Sequence, residues 1–408
     1  MRRTPGPWPA QASCRSKTTT PCSKWRCATS TDSKRLASTE TATPGICLRE
    51  PRMIKKILIA APDIHLFDAV GNHCLHLAED LRNTGLDVQL YAQRSSPPGV
   101  PVHDLESIFT QDLSDSLLLV SYSIFDPYLE RLLALPCRKI CYFHGVTPPE
   151  LLRVHEPVTA DLCQRSIEQF HLLAGFDRLV FSSQLNQRFL ERYAPGRPSV
   201  VIPPVSPNFP QFQPGPLLEH DRHEGLNLLV LGRVVPHKRL EDAIQVLALL
   251  RQRGVAATLN IVGSSGNRVY QDHLDQLVLS LGLSASVHFK GLVDAPALLR
   301  AYSESDALLL TSEHEGFGVP VLEAMHRGLP VVMREGTAAS EVGADAVQNF
   351  ATIEQATDEL QRLAQEPGLR DAMVKSGRCR AAELLEQASA GIWQKLLQEV
   401  DAQSGISC

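Results

Sequence analysis

Two carboxylates, Glu315 and Glu323, stand with seven residues between them in the stretch Leu308 to Val332. Gly316 and Gly318 lie between them, and the run Ala307 to Leu310 before them reads as a short buried strand. Pro320 suits the first turn of a helix, where a missing N–H costs nothing. Gly328 and Pro330 end that helix, and Val331-Val332 opens another buried strand. A strand, a glycine loop and a helix start leave free backbone N–H groups pointing at one spot, which favours an anion. Carboxylates beside that spot favour hydroxyls. A ligand that is both anionic and rich in hydroxyls, such as a sugar carried on a nucleoside diphosphate, satisfies both. A simpler account is an acidic first turn, since Glu323 would complement the helix dipole in any case.

The segment Glu315-Gly-Phe-Gly-Val-Pro-Val-Leu-Glu323-Ala-Met resembles the E-x7-E signature of retaining glycosyltransferases, most closely family 4. The resemblance spans roughly residues 53–400, strong over 227–340 and diffuse before. It implies that Glu315 bonds hydroxyls of a donor sugar and that backbone N–H groups around Gly316, Phe317 and Gly318 meet phosphate and sugar. It implies that Glu323 holds the ribose diol, for which a carboxylate is suited by its two side-by-side acceptors. Gly232-Arg233 and Lys238 resemble the family's G-R-x-x-x-x-K element. A guanidinium fork and an ammonium point charge can neutralise a diphosphate and stabilise the charge on a leaving nucleotide. Gly263, after the next strand, joins the implied donor contacts.

His144 follows an apolar strand and precedes Gly145, so it faces the cleft where parallel sheets bind ligands. By resemblance it contacts the donor sugar near its reacting carbon. With Glu315, Arg233 and Lys238 it makes the implied catalytic set. Asp68-Ala-Val-Gly71-Asn72 stands where the family has its first-domain glycine loop, with one glycine where many relatives show two. Gly71 and Asn72 are therefore candidate donor contacts, or else a plain turn capped by Asn72. No DxD-like motif is evident, so metal independence is expected. No cofactor is implied beyond a nucleotide-sugar co-substrate such as GDP-mannose or UDP-glucose.

These residues need an α/β scaffold to position them. Apolar strands at Lys56–Ala61, Val88–Ala92, Leu117–Tyr122, Lys139–Phe143 and Arg178–Phe181 alternate with helical segments, among them Cys74–Thr84 and Leu162–Leu173. The opening βαβ unit lacks G-x-G-x-x-G, so no dinucleotide is implied. Six prolines between Val200 and Pro216 mark a hinge. The rhythm then restarts with strands at Asn227–Leu231, Thr258–Val262 and Val287–Phe289 and helices at Leu240–Arg253, Glu354–Ala364 and Leu369–Cys379. The expected architecture is two Rossmann-like parallel-sheet domains facing a cleft, the GT-B type, with a C-terminal helix crossing back to the first domain. The expected boundaries are a basic tail at 1–52, an acceptor domain at 53–213, a nucleotide-sugar domain at 214–380 and the crossing helix at 381–408.

The 408 residues suffice for two such domains, and no run of about 18 apolar residues predicts a transmembrane helix. Residues 1–52 hold ten Lys or Arg against three acids, net +7, which leaves −12 on the rest of a chain whose total is −5. An acidic body argues against a nucleic-acid partner. The tail is rich in Ser, Thr and Pro and lacks the aliphatics to fold alone. It mimics a transit peptide, or it reflects a start set too early with Met53 as the first residue. Ten scattered cysteines, without metal-site spacing, suit reduced thiols and a cytoplasmic location. The basic and apolar mix of Arg131 to Phe143 is compatible with a peripheral contact at the inner face of the cell membrane, although a buried strand explains most of it. The expected function is hexosyl transfer to a saccharide or lipid-linked acceptor in polysaccharide or glycoconjugate synthesis. The rival from another class is a non-catalytic subunit that binds nucleotide sugars on the same fold.

Overall fold

The computed structural model describes residues 54–66, 68–96, 99–206, 212 and 225–403. The basic tail and Gln213 lie outside them. The first sheet contains β1 (Lys56–Ile64), β2 (Asp87–Ser95), β3 (Val102–Asp104), β4 (Ser116–Tyr122), β5 (Arg138–Phe143), β6 (Arg178–Phe181) and β7 (Ser199–Val201). They pair in the order β3-β2-β1-β4-β5-β6-β7, parallel throughout. The second sheet contains β8 (Leu226–Leu231), β9 (Ala257–Val262), β10 (Val287–Gly291), β11 (Ala307–Leu310), β12 (Val331–Arg334) and β13 (Gln348–Phe350). Its order is β10-β9-β8-β11-β12-β13, again parallel. Two parallel α/β domains of this kind are the GT-B architecture that the strand–helix rhythm predicts.

Both sheets are covered on both faces, which explains why their strands are almost continuously apolar. Alternation along β1 sends Ile57, Ile59 and Ala61 into one core and Leu58 and Ala60 into another. Along β8, Leu228 and Val230 enter one core and Leu229 and Leu231 the opposite one. Full burial of each such aliphatic stabilises the fold by roughly 1.5–3 kcal/mol.

The chain changes domain earlier than its proline content suggests. Ile202 belongs to the first-domain core, whereas Val205 and Phe212 pack into the second. The crossing therefore falls at Pro203-Pro204, before the expected boundary near Gln213. Two apolar residues inside the proline-rich stretch decide it, because their burial outweighs the linker composition around them.

The C-terminal region also differs from expectation. One helix runs Pro367–Gln387, through the expected boundary at 380, and a second runs Ala390–Gln403. Gly377 does not stop the first helix. A Cβ there would lie 3.3 Å from the Met325 side chain, so the glycine permits close packing on the 319–327 helix. The final helix crosses to the first domain as expected. Trp393, Leu396, Leu397 and Val400 join its core, and Arg138 and Arg178 pair with Asp401 and Glu399.

Candidate active site

A cavity of about 720 Å³ opens between the carboxyl ends of the two sheets. Its second-domain wall includes Gly232, Arg233, Lys238, Glu315, Gly316, Phe317 and Gly318, and its first-domain wall includes His144, Gly145 and Asp68. A volume in this range accommodates a drug-sized ligand.

The loop after β8 and the loop after β11 are tied together by backbone. Glu313 N donates to His237 O at 2.9 Å, and Thr311 Oγ1 donates to Lys238 O at 2.8 Å. These bonds deliver the Lys238 ammonium to Glu315, Nζ to Oε1, at 2.6 Å. The side chains are only 15% and 8% exposed, so the pair is largely shielded from water. Arg239, next in sequence, takes a left-handed conformation at φ 52 and is held by Asp242 and Glu313. Arg233 is exposed and has no ion pair among the described residues. It is thus the cation of this wall available to an incoming anion.

Glycines set the tight approaches. A Cβ on Gly263 would lie 1.9 Å from Gly232 O, so Gly263 lets the 232 loop seat and is not itself a wall residue. Gly318, at φ +107, precedes the helix Val319–Arg327 and would clash with Ala339 if it bore a side chain. A Cβ on Gly316 would lie 2.3 Å from His144 O. Here the two domains meet directly. Ser182 Oγ and Asn186 Nδ2 donate to Gly316 O at 2.7 and 2.9 Å, and Gln184 N and Arg188 reach Glu341. A second bridge runs from Asn267 Nδ2 to His155 O.

Three imidazoles around the cavity are held neutral. Burial pushes His144 down to about 3. Burial, with Lys238 adding to it and Glu315 opposing, brings His314 to about 4. His237 is well below its ordinary value, by burial first and then by the charges of Lys238, His314 and Arg233. Neutral imidazoles can donate to or accept from hydroxyls without adding charge.

Several expected site residues fall elsewhere. The first-domain helix begins at Ala69, not Cys74, and its cap is Asp68, which accepts from Val70 N and Gly71 N at 3.1 Å. Asn72 is therefore not the cap. Gly71 sits against His65, where a Cβ would come within 2.2 Å of the carbonyl oxygen. Neither Gly71 nor Asn72 is on the cavity wall. Glu323 lies about 6 Å along the helix axis from Val319, off the wall, and accepts from Tyr302 Oη. Conversely, His237, His314 and Asn186 were not singled out in the sequence, and Ser182 was noted only as following the strand Arg178–Phe181 in the family style. The two histidines flank Lys238 and Glu315 directly, which was the available signal. The Ser182–Asn186 pair carries no local signal, because its partner is in the other domain.

Residues 220–380 match the family described as Glycosyl transferases group 1. The matched segment lies in the second α/β domain, and the fold of the chain is of the GT-B type. It is 29% identical over 231 residues to a D-inositol 3-phosphate glycosyltransferase of Actinosynnema mirum, covering 51% of this chain and 54% of that one. It is 33% identical over 115 residues to a mannosylfructose-phosphate synthase of Agrobacterium fabrum, covering 27% and 25%. The chain spans about half the length, or less, of these curated relatives. In fold, it resembles a sucrose-phosphate synthase from Thermosynechococcus elongatus (TM-score 0.69, 17% identity, 86% and 100% of the two chains). It also resembles Anabaena HepE in complex with UDP and glucose (TM-score 0.67, 16% identity, 85% and 100%).

Proposed function

We propose that the chain is a retaining, metal-independent glycosyltransferase. It moves a hexose from a nucleoside diphosphate to a hydroxyl of a saccharide or lipid-linked acceptor, in surface polysaccharide or glycoconjugate synthesis. The observation that carries this reading is the convergence of Arg233, the Lys238–Glu315 pair, the 316–319 backbone and His144 on one cavity. A protein of the same fold described with UDP and glucose supports a nucleotide-sugar donor.

In this reading Arg233 takes the pyrophosphate, and Lys238 shares its charge between Glu315 and the departing phosphate. Fixed cations and amide dipoles in a half-enclosed site stabilise developing charge without reorganising. Glu315 accepts from sugar hydroxyls. The acceptor oxygen bonds the anomeric carbon on the face that the phosphate leaves, and the departing phosphate oxygen takes the acceptor's proton. Contacts through Gly316 O and Glu341 close the domains against water, which otherwise competes as acceptor.

The test is a thermal-shift panel of GDP- and UDP-sugars, followed by donor consumption with purified protein. One nucleotide class should raise the melting temperature by mass action and be consumed at least by water. No shift and no consumption with any donor would refute the reading. A shift with no turnover across several acceptors would favour the non-catalytic binding subunit.

A further inference from the structure

His144 is braced from behind by a side chain that the transfer reading does not use. Its backbone N donates to Tyr122 O at 2.9 Å, which roots the residue at the end of β5. Its Nε2 lies 2.9 Å from the Oγ of Ser121, a buried residue of β4. Ser121 is 1% exposed, and His144 Nε2 is the hydrogen-bond partner of its hydroxyl among the described residues. The other ring nitrogen, Nδ1, has no hydrogen-bond partner among the described residues, is not among the enclosed unpartnered atoms, and belongs to a wall residue of the cavity.

The proton count along this line is restricted. The serine hydroxyl has one proton to donate, and a neutral imidazole has one donor and one acceptor nitrogen. Burial keeps His144 neutral. His73, edge-on at 5.1 Å between ring centroids, would be disfavoured by any charge on His144. An imidazole lone pair is a good acceptor, and a buried hydroxyl proton left without an acceptor is costly. The favoured arrangement is therefore Ser121 O–H donating to His144 Nε2.

We propose that Ser121 is a positioning residue that locks His144 as the Nδ1–H tautomer, so that the cavity wall presents a hydrogen-bond donor and not a base. The consequence for catalysis rests on the transfer reading above; the tautomer does not. With its lone pair turned away, His144 cannot take the acceptor's proton. It can donate to a sugar oxygen, and the proton must go to the departing phosphate.

Nitrogen NMR of the full chain labelled at histidine decides the matter. His144 is assigned by the signal missing from His144→Gln. In the wild type, Nε2 should resonate as the pyridine-type nitrogen and Nδ1 as the N–H-bearing one. In Ser121→Ala the two forms should mix, and kcat should fall about five- to tenfold, the worth of one neutral hydrogen bond, with little change in KM. Ser121→Thr should restore both. An Nε2–H form in the wild type, or an unmixed spectrum in Ser121→Ala, overturns the proposal. If Ser121→Ala does not fold, the wild-type spectrum alone is decisive. Absence of turnover with every donor would refute the transfer reading and leave the spectrum to judge the tautomer.

Discussion

Breaking the Lys238–Glu315 pair should cost stability as well as activity, and the two losses can be separated. The charged atoms stand 2.6 Å apart with side chains 15% and 8% exposed. At an effective dielectric of about 20, charges some 4 Å apart attract by roughly 4 kcal/mol. Removing one partner leaves the other desolvated and unpaired, at about 3–5 kcal/mol. That is a third or more of the stability of many domains. Lys238→Met should therefore lose about 3–5 kcal/mol. Glu315→Gln, which keeps an oxygen facing the ammonium, should lose less, on the order of 2 kcal/mol. The double variant should lose only about 3 kcal/mol of the roughly 5–7 that the single losses sum to, because no charge is stranded. Urea unfolding of the four proteins gives the midpoints, with an unchanged slope as the check on two-state behaviour. The cycle should return a coupling of about 2–4 kcal/mol. Additive losses would refute the picture of a shielded pair. A corollary is that inactivity of Glu315→Ala would conflate chemistry with folding, whereas Glu315→Gln would not.

Two further outcomes follow from the same geometry. Gly316→Ala puts a methyl about 2.3 Å from His144 O and must break the bonds from Ser182 and Asn186 to Gly316 O. We expect a loss of roughly 2 kcal/mol with hydrolysis and transfer both slowed; an unfolding midpoint equal to the wild type would contradict the interdomain contact. On acidification, the unfolded chain takes up protons at histidines near 6.5, while folded His144 and His314 stay neutral to about 3 and 4. More protons on the unfolded state means that stability present above pH 6.5 is lost as the pH falls, by up to about 1.4 kcal/mol per pH unit for each residue. Burial raises Asp126 to about 6, so its uptake in the folded state offsets one histidine below that pH. Thermal melts at pH 7.5, 6.5 and 5.5 should show a plateau and then a decline; a flat profile would contradict the buried neutral imidazoles.

Much of this was legible in the sequence because parallel strands between helices are short unbroken apolar runs, and β6 and β11 match theirs residue for residue. The edge strands β3, β7 and β13 are three residues each and carry no such run. The helix at Ala69 was misjudged because Gly71 reads as a loop residue, although its lack of a side chain serves packing against His65. On the second-domain side, Arg233, Lys238 and Glu315 were legible because a loop's own residues build that wall. The Ser182–Asn186 clamp, the Ser121–His144 brace and the seating role of Gly263 were not. Each depends on a partner far along the chain, which no local spacing encodes.

The central claim is that the second-domain wall is built to hold a pyrophosphate. Arg233 tests it cleanly, since it is exposed and has no ion pair among the described residues to lose. Calorimetric titration of UDP and GDP into the wild type and Arg233→Gln, at equal unfolding midpoints, is the direct measurement. The account predicts that the better-bound nucleotide weakens by about ten- to a hundredfold, the worth of a charge-assisted contact. Equal affinity in the two proteins would contradict it.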